Sequence, residues 1–309
     1  MSIETFILTG NKDSDIFCEG HNDGNVVIKI ETSKNCNASN INIAAEFARQ
    51  ARIHKKTDTP IILEHGLLTE SKIPTLFCIP KADHKLPVIF LVHGAYSNKT
   101  NQIGNGIVLA EQGFLTVLVD MRLHGERRPD DYDDKMSAGK VGNIFFNIIK
   151  ETSDDIISLI DYIQNDPRVD SSRIGMTGFS MGGFITFLTI QRDKRIGAAA
   201  PIAGCPDWNV MKTRPDFHSI TEETESFIIR YNPINNYQSF FPTPLLVQNG
   251  DADDQVPITG SRNLGAIIKE SYSEMPERYK FYEYPGLPHE VDPLMMVRLI
   301  DWFKKYLQE

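Results

Sequence analysis

The sequence predicts an α/β architecture, with a mostly parallel central sheet and helices on both faces. Three observations predict it. From about Pro60 onward, short β-type runs alternate with helical segments, as they do where each strand is followed by a crossover helix. Several of those runs are almost wholly apolar, the pattern of strands covered on both sides. The helical segments between them repeat apolar residues with a helical period.

The strands fall at residues 61–64, 75–79, 88–92, 114–119, 173–177, 198–202, 245–248 and 280–284. Among the helices, Ile156, Ile160 and Ile163 recur at i, i+4 and i+7, and Met295, Leu299, Trp302 and Phe303 do the same near the C-terminus. These stripes face a core. A helix beginning near Asn101 is expected to stop at Gly113, because glycine takes the left-handed conformation that ends a helix.

Two regions break the rhythm. Residues 1–58 form an N-terminal extension with β-type runs at 6–9 and 26–31, then a helix around Ile43, Phe47 and Ala51, and carry no visible chemistry. Residues 59–309 are then expected to form the main α/β domain. Within it, residues 205–242 interrupt the alternation with Trp208, Met211, Phe217, Phe227, Ile228, Ile229 and Tyr231, and so long an excursion is expected to be a lid-like insertion.

Composition narrows the functional class. Hydrophobic residues make up 41% and charged residues 24% of the 309, an ordinary globular balance that supports a sizeable core. The net charge of -9, from 32 basic and 41 acidic residues, disfavours nucleic acid as a partner. Residues 1–10 include Glu4 and lack the basic start of a signal peptide, and no stretch is long and apolar enough to span a bilayer. Cys18, Cys36, Cys78 and Cys205 are far apart and form no C-x-x-C pair, so neither a zinc site nor a redox motif is expected. A cytoplasmic protein without metal or cofactor is the expectation; a homo-oligomer stays open.

Gly178-Phe179-Ser180-Met181-Gly182 matches G-x-S-x-G, with a strand run before it and an apolar helix after it. That is the strand, sharp turn, helix arrangement that exposes a nucleophilic serine. The helix N-terminus offers unpaired amides and a positive dipole to a developing oxyanion. A serine hydroxyl needs a base, and after such an elbow the acid and then the histidine follow in the chain. Of eight histidines, only His218 and His289 follow Ser180, and His289 alone lies between the last strand and the terminal helix. Asp251, Asp253 and Asp254, just past the preceding strand, compete for the acid. At the end of the strand at 88–92, His93-Gly94-Ala95-Tyr96 supplies a loop in which the Ala95 amide would join that of Met181 as an oxyanion hole.

Together these segments resemble the α/β-hydrolase superfamily, and within it the bacterial serine esterases related to dienelactone hydrolase. The likeness runs from about Pro60 to the C-terminus. It rests on His93 to Lys99, Asp120 to Arg127, Gly178 to Gly183, Asn249 to Pro257, Tyr272 to Arg278 and His289. The resemblance implies Asp253 as the acid, since the family pattern places it in a D-x-x-V-P spacing that Val256-Pro257 completes. It implies that Asp120, Arg122 and His124 tie the structure under the site. Dienelactone hydrolase uses cysteine where this chain has Ser180, which implies ordinary ester cleavage rather than lactone specialisation.

The implied activity is hydrolysis of a small carboxylic ester through an acyl-enzyme, with Tyr96 and Trp208 as candidate pocket residues. A peptidase or thioesterase would use the same three residues. The prolyl-oligopeptidase type normally carries a large N-terminal propeller, and residues 1–58 are too few for two blades of about 40 to 50 residues each. An inactive binding module would have no need of the intact set.

Overall fold

The computed structural model describes residues 4–9, 27–31, 61–137, 141–217 and 219–309; the helix expected around Ile43, Phe47 and Ala51, the thiols of Cys18 and Cys36, and His218 lie outside them. Among the described residues ten strands form one sheet: β1 (Glu4–Thr9), β2 (Val27–Glu31), β3 (Ile61–Leu68), β4 (Ile73–Pro80), β5 (Leu86–Val92), β6 (Leu115–Val119), β7 (Val169–Phe179), β8 (Ile196–Ile202), β9 (Leu245–Gly250) and β10 (Tyr279–Tyr284). The order across the sheet is β10-β9-β8-β7-β5-β6-β4-β3-β1-β2. From β5 to β10 neighbours run parallel, while β4, β3, β1 and β2 continue the sheet antiparallel. The two strands of the N-terminal extension thus complete one edge.

The chain leaves β5 to build β6 on one side and returns to build β7 on the other. Such a reversal opens a crevice at the carboxyl ends of the strands, where ligands of α/β sheets bind. Here those ends carry His93-Gly94 and Ser180.

The helices are α1 (Ile103–Glu111), α2 (Tyr132–Ser137), α3 (Val141–Ile163), α4 (Met181–Arg192), α5 (Trp208–Lys212), α6 (Glu222–Tyr231), α7 (Thr259–Ile267) and α8 (Pro293–Leu307). Because side chains alternate along a strand, β5 feeds both layers. Val88, Phe90 and Val92 join the core shared with α3 and α4, whereas Ile89 and Leu91 face the layers under α8 and α1. On α3, Ile156, Leu159, Ile160 and Ile163 are buried, and at roughly 1.5 to 3 kcal/mol each this stripe, rather than helix propensity, holds the helix.

Helix α1 ends as its sequence requires. Gly113 takes φ +88°, its amide reaches the Ala110 carbonyl at 2.9 Å, and the Phe114 amide reaches Leu109 at 3.3 Å. Residues 205–242 fold into α5, α6 and short 3₁₀ turns in which Trp208, Met211, Phe217, Ile228 and Phe240 are buried and Ile229 is exposed. The Trp208 ring lies 5.2 Å from Phe146 and stacks on Phe227 at 5.6 Å, while Phe217 meets Phe145 edge-on at 5.2 Å. Among the described residues no helix is long and apolar enough to cross a membrane.

Candidate active site

Ser180 sits between the last residue of β7 and the first of α4, with φ 55° and ψ -119°. A non-glycine residue in that region is strained, and its surroundings must hold it there. The Ser180 amide donates to the Ile202 carbonyl at 2.9 Å, and its own carbonyl accepts from Gly183 at 2.7 Å and Phe184 at 3.2 Å. The turn also needs its two motif glycines. A Cβ on Gly178 would lie 2.4 Å from the Gly182 carbonyl oxygen, and one on Gly182 would lie 2.3 Å from that of Val92.

The loops after β9 and β10 are laced together. Asp251 and Ala252 donate their amides to Tyr284 at 3.1 Å and Leu287 at 3.2 Å, and the Gly286 amide returns to the Asp251 carboxylate at 2.6 Å. Below them, Gln248 donates to the Met295 carbonyl at 3.1 Å and accepts from the Tyr284 hydroxyl at 2.6 Å, fixing the start of α8 to β9. This frame brings three sequence candidates together. His289 Nδ1 lies 2.6 Å from Asp253 Oδ2, and His289 Nε2 lies 2.8 Å from Ser180 Oγ. A carboxylate only accepts, so Nδ1 carries the proton and Nε2 is left to accept from the serine hydroxyl. The Asp253 side chain is buried, while Asp251 and Asp254 are exposed. The Phe179 ring covers one side of the imidazole, with centroids 4.9 Å apart.

On the other side of Ser180 lies the loop after β5. His93 is buried, donates from Nδ1 to the Gly94 carbonyl at 2.7 Å and accepts the Met121 amide at Nε2, 3.2 Å away. Burial lowers its pKa to about 4, so it is neutral and serves the loop. A Cβ on Gly94 would lie 3.4 Å from Ser180 Cβ, so the loop runs against the serine at the residue before Ala95. Met181, the other donor candidate, is the first residue of α4, where amides lack intrahelical partners. Tyr96 has φ 59° and is 66% exposed. Trp208 has no exposed surface, so of the two pocket candidates only Tyr96 presents a side chain to solvent.

The tie under the site is larger than the sequence indicated. Arg122 grips Asp155 with two hydrogen bonds of 2.7 and 2.6 Å, and Arg127 adds a third of 2.6 Å. His124 is engaged at both nitrogens, by the Arg122 carbonyl at 2.9 Å and the Tyr132 hydroxyl at 3.2 Å. Lys99 and Glu126 gather around Asp120, with His65 on Glu126, a grouping that leaves no spacing in the sequence. Among the described residues no group of His, Cys, Asp and Glu is placed to hold a metal ion.

Comparison with known proteins agrees with this architecture. The Bacillus subtilis protein named "Putative esterase YitV" is 27% identical over 253 residues, covering 77% of this chain and 97% of its own. The "Uncharacterized peptidase YuxL" of the same organism is 26% identical over 225 residues, and the match spans only 31% of that longer protein. The structure of TT1662 from Thermus thermophilus superposes with a TM-score of 0.65 at 17% identity, covering 80% of this chain and 99% of the other. The prolyl oligopeptidase family model matches residues 104–309. That match needs no propeller, so the small size of residues 1–58 does not weigh against membership as the sequence suggested. Because it runs from α1 to the C-terminus through Ser180, Asp253 and His289, the chain belongs to the prolyl oligopeptidase family and is a hydrolase of the α/β-hydrolase fold.

Proposed function

We propose that the protein is a serine carboxylesterase of short-chain esters, with Ser180 as nucleophile, His289 as general base and Asp253 as its orienting acid. The observation that carries this reading is the imidazole of His289 bridging Ser180 Oγ at 2.8 Å and Asp253 at 2.6 Å. Ser180 Oγ forms a bond to the acyl carbon while its proton passes to His289 Nε2. The carbonyl oxygen, now negative, is taken by the amides of Ala95 and Met181. Collapse breaks the ester C–O bond, and the leaving alcohol departs with the proton from Nε2. Water then repeats the sequence on the acyl-enzyme, with His289 taking its proton, and frees the acid and Ser180.

The ester reading over the peptide reading is supported by YitV, which is named as an esterase and is matched over nearly its whole length. A peptidase reading is favoured by the family itself and by YuxL, of which less than a third is matched. The buried free thiols of Cys78 and Cys205 support a cytoplasmic location.

The test is a panel of p-nitrophenyl esters from acetate to palmitate beside aminoacyl and dipeptidyl p-nitroanilides, with Ser180→Ala as control. Hydrolysis of acetate or butyrate esters, lost in the control, is expected. Higher kcat/KM on an anilide would replace the ester reading by the peptidase one, and an active control would remove the site.

A further inference from the structure

We propose that Lys99 is a positioning residue for the oxyanion loop, fixing the Ala95 amide through a buried ionic anchor. The proposal rests on the reading of Ala95 as an oxyanion donor. The loop from His93 to Lys99 is tied at both ends to the same place, the end of β6. At its start, His93 accepts the Met121 amide at 3.2 Å. At its end, Lys99 donates its backbone amide to Asp120 Oδ1 at 2.8 Å and its ammonium to Asp120 Oδ2 at 2.6 Å. The five residues between, Gly94 to Asn98, form a short bridge that includes Ala95 and the positive-φ Tyr96.

The anchor is built to hold a charge. Lys99 is 2% exposed and Asp120 wholly buried, and the ammonium also bonds Glu126. Glu126 is held in turn by His65 of β3 at 2.8 Å, while its amide donates to Asp120 Oδ2 at 3.0 Å. The turn that delivers Glu126 needs Gly125, at φ +55°, because a Cβ there would lie 2.2 Å from the Asp120 carboxyl carbon. A buried ammonium is costly unless it is paired, and here its pairing joins the end of the loop to the end of β6 and to the turn that carries Glu126, so removing one partner leaves a buried charge uncompensated. Rigidity matters because an oxyanion donor works only within about 2.7 to 3.1 Å of the developing charge. A misplacement of about 1 Å costs about 10²-fold in rate.

The test uses the full chain and two variants, Lys99→Met and Glu126→Gln, the second keeping volume and an acceptor for the ammonium. The readouts are kcat and KM on the best ester or anilide, inhibition by a trifluoromethyl ketone whose adduct carries an oxyanion, and the rate at which a fluorophosphonate labels Ser180. Lys99→Met should lower kcat and the labelling rate by about 10²-fold, with KM changed less than about threefold. Ketone affinity should fall in parallel. Glu126→Gln should lose about tenfold in the same pattern, and it decides the matter if circular dichroism shows Lys99→Met unfolded. A folded variant with unchanged labelling rate and ketone affinity overturns the proposal. A wild-type chain whose Ser180 is not labelled instead overturns the functional reading, and this proposal with it.

Discussion

The carboxylate of Asp253 faces two ways, its Oδ2 toward His289 Nδ1 at 2.6 Å and its Oδ1 toward the amide of Val256 at 2.8 Å. Gln255 adds its amide to Oδ1 at 2.9 Å. The three-residue spacing to Val256 is therefore a local turn that aims the carboxylate, with Asp253 capping the amides that follow it. An asparagine there could keep both amide bonds through its oxygen. It would then present an NH₂ group to Nδ1 and favour the tautomer whose Nε2 is protonated and useless as a base. Asp253→Asn should therefore lower kcat by about 10³ or more with little change in Tm. Asp251→Asn and Asp254→Asn, both at exposed positions, should stay within about tenfold. Steady-state kinetics and melting curves on the three variants check this, and a crippled Asp251 or Asp254 variant beside an active Asp253→Asn would move the acid elsewhere.

Ser180 combines the proposed nucleophile with a left-handed backbone. Ser180→Ala should lose about 10⁴ to 10⁶ in kcat, since the hydroxyl is gone while binding and the oxyanion donors remain. It keeps the backbone strain, because alanine also has a Cβ. Ser180→Gly should be equally inactive, yet release about 1 kcal/mol or more of that strain and melt about 2 °C or more above Ser180→Ala. Equal melting temperatures in calorimetry would show the turn to be relaxed.

Burial alone would raise the Glu126 carboxyl, but the His65 hydrogen bond and the Lys99 charge outweigh it and lower its pKa from 4.5 to about 2. A depressed carboxylate contributes stability that is complete above its unfolded value and is lost as pH falls through the folded one. The stability advantage of wild type over Glu126→Gln should thus be full above about pH 4.5 and shrink between there and about pH 2. Urea unfolding of both proteins at several pH values measures it. A gap independent of pH across that window would mean that the carboxylate charge carries none of it.

Trp208, Phe217 and Phe240 of residues 205–242 pack into the core rather than toward solvent, and chain length on the ester panel tests the short-chain reading proposed above. Acetate or butyrate esters should turn over faster than palmitate. Tyr96 stands exposed beside Ala95, its ring 6.0 Å from that of Tyr132. Tyr96→Ala should therefore change KM more than kcat on aryl esters. Faster palmitate turnover, or a Tyr96→Ala enzyme with unaltered KM, would contradict this picture of the pocket.

Much of the fold was legible because its causes are local. The near-continuous apolar run at 88–92 announced a strand covered on both sides, and Gly113 announced the end of a helix by a conformation that other residues resist. The string around Ser180 was readable for the same reason, since a strained turn between a strand and a helix demands glycine at 178 and 182. Position in the chain also singled out His289. Tertiary structure alone decided what depends on residues distant in sequence. Ser180 and His289 are 109 residues apart and meet at 2.8 Å only because the loops after β9 and β10 are laced over the end of β7. The anchor that joins His65 to Glu126, 61 residues on, and Glu126 to Lys99 left no mark in the sequence. Charges buried in pairs follow no period, and only the packing of β3, β6 and the loop between β5 and α1 brings them together.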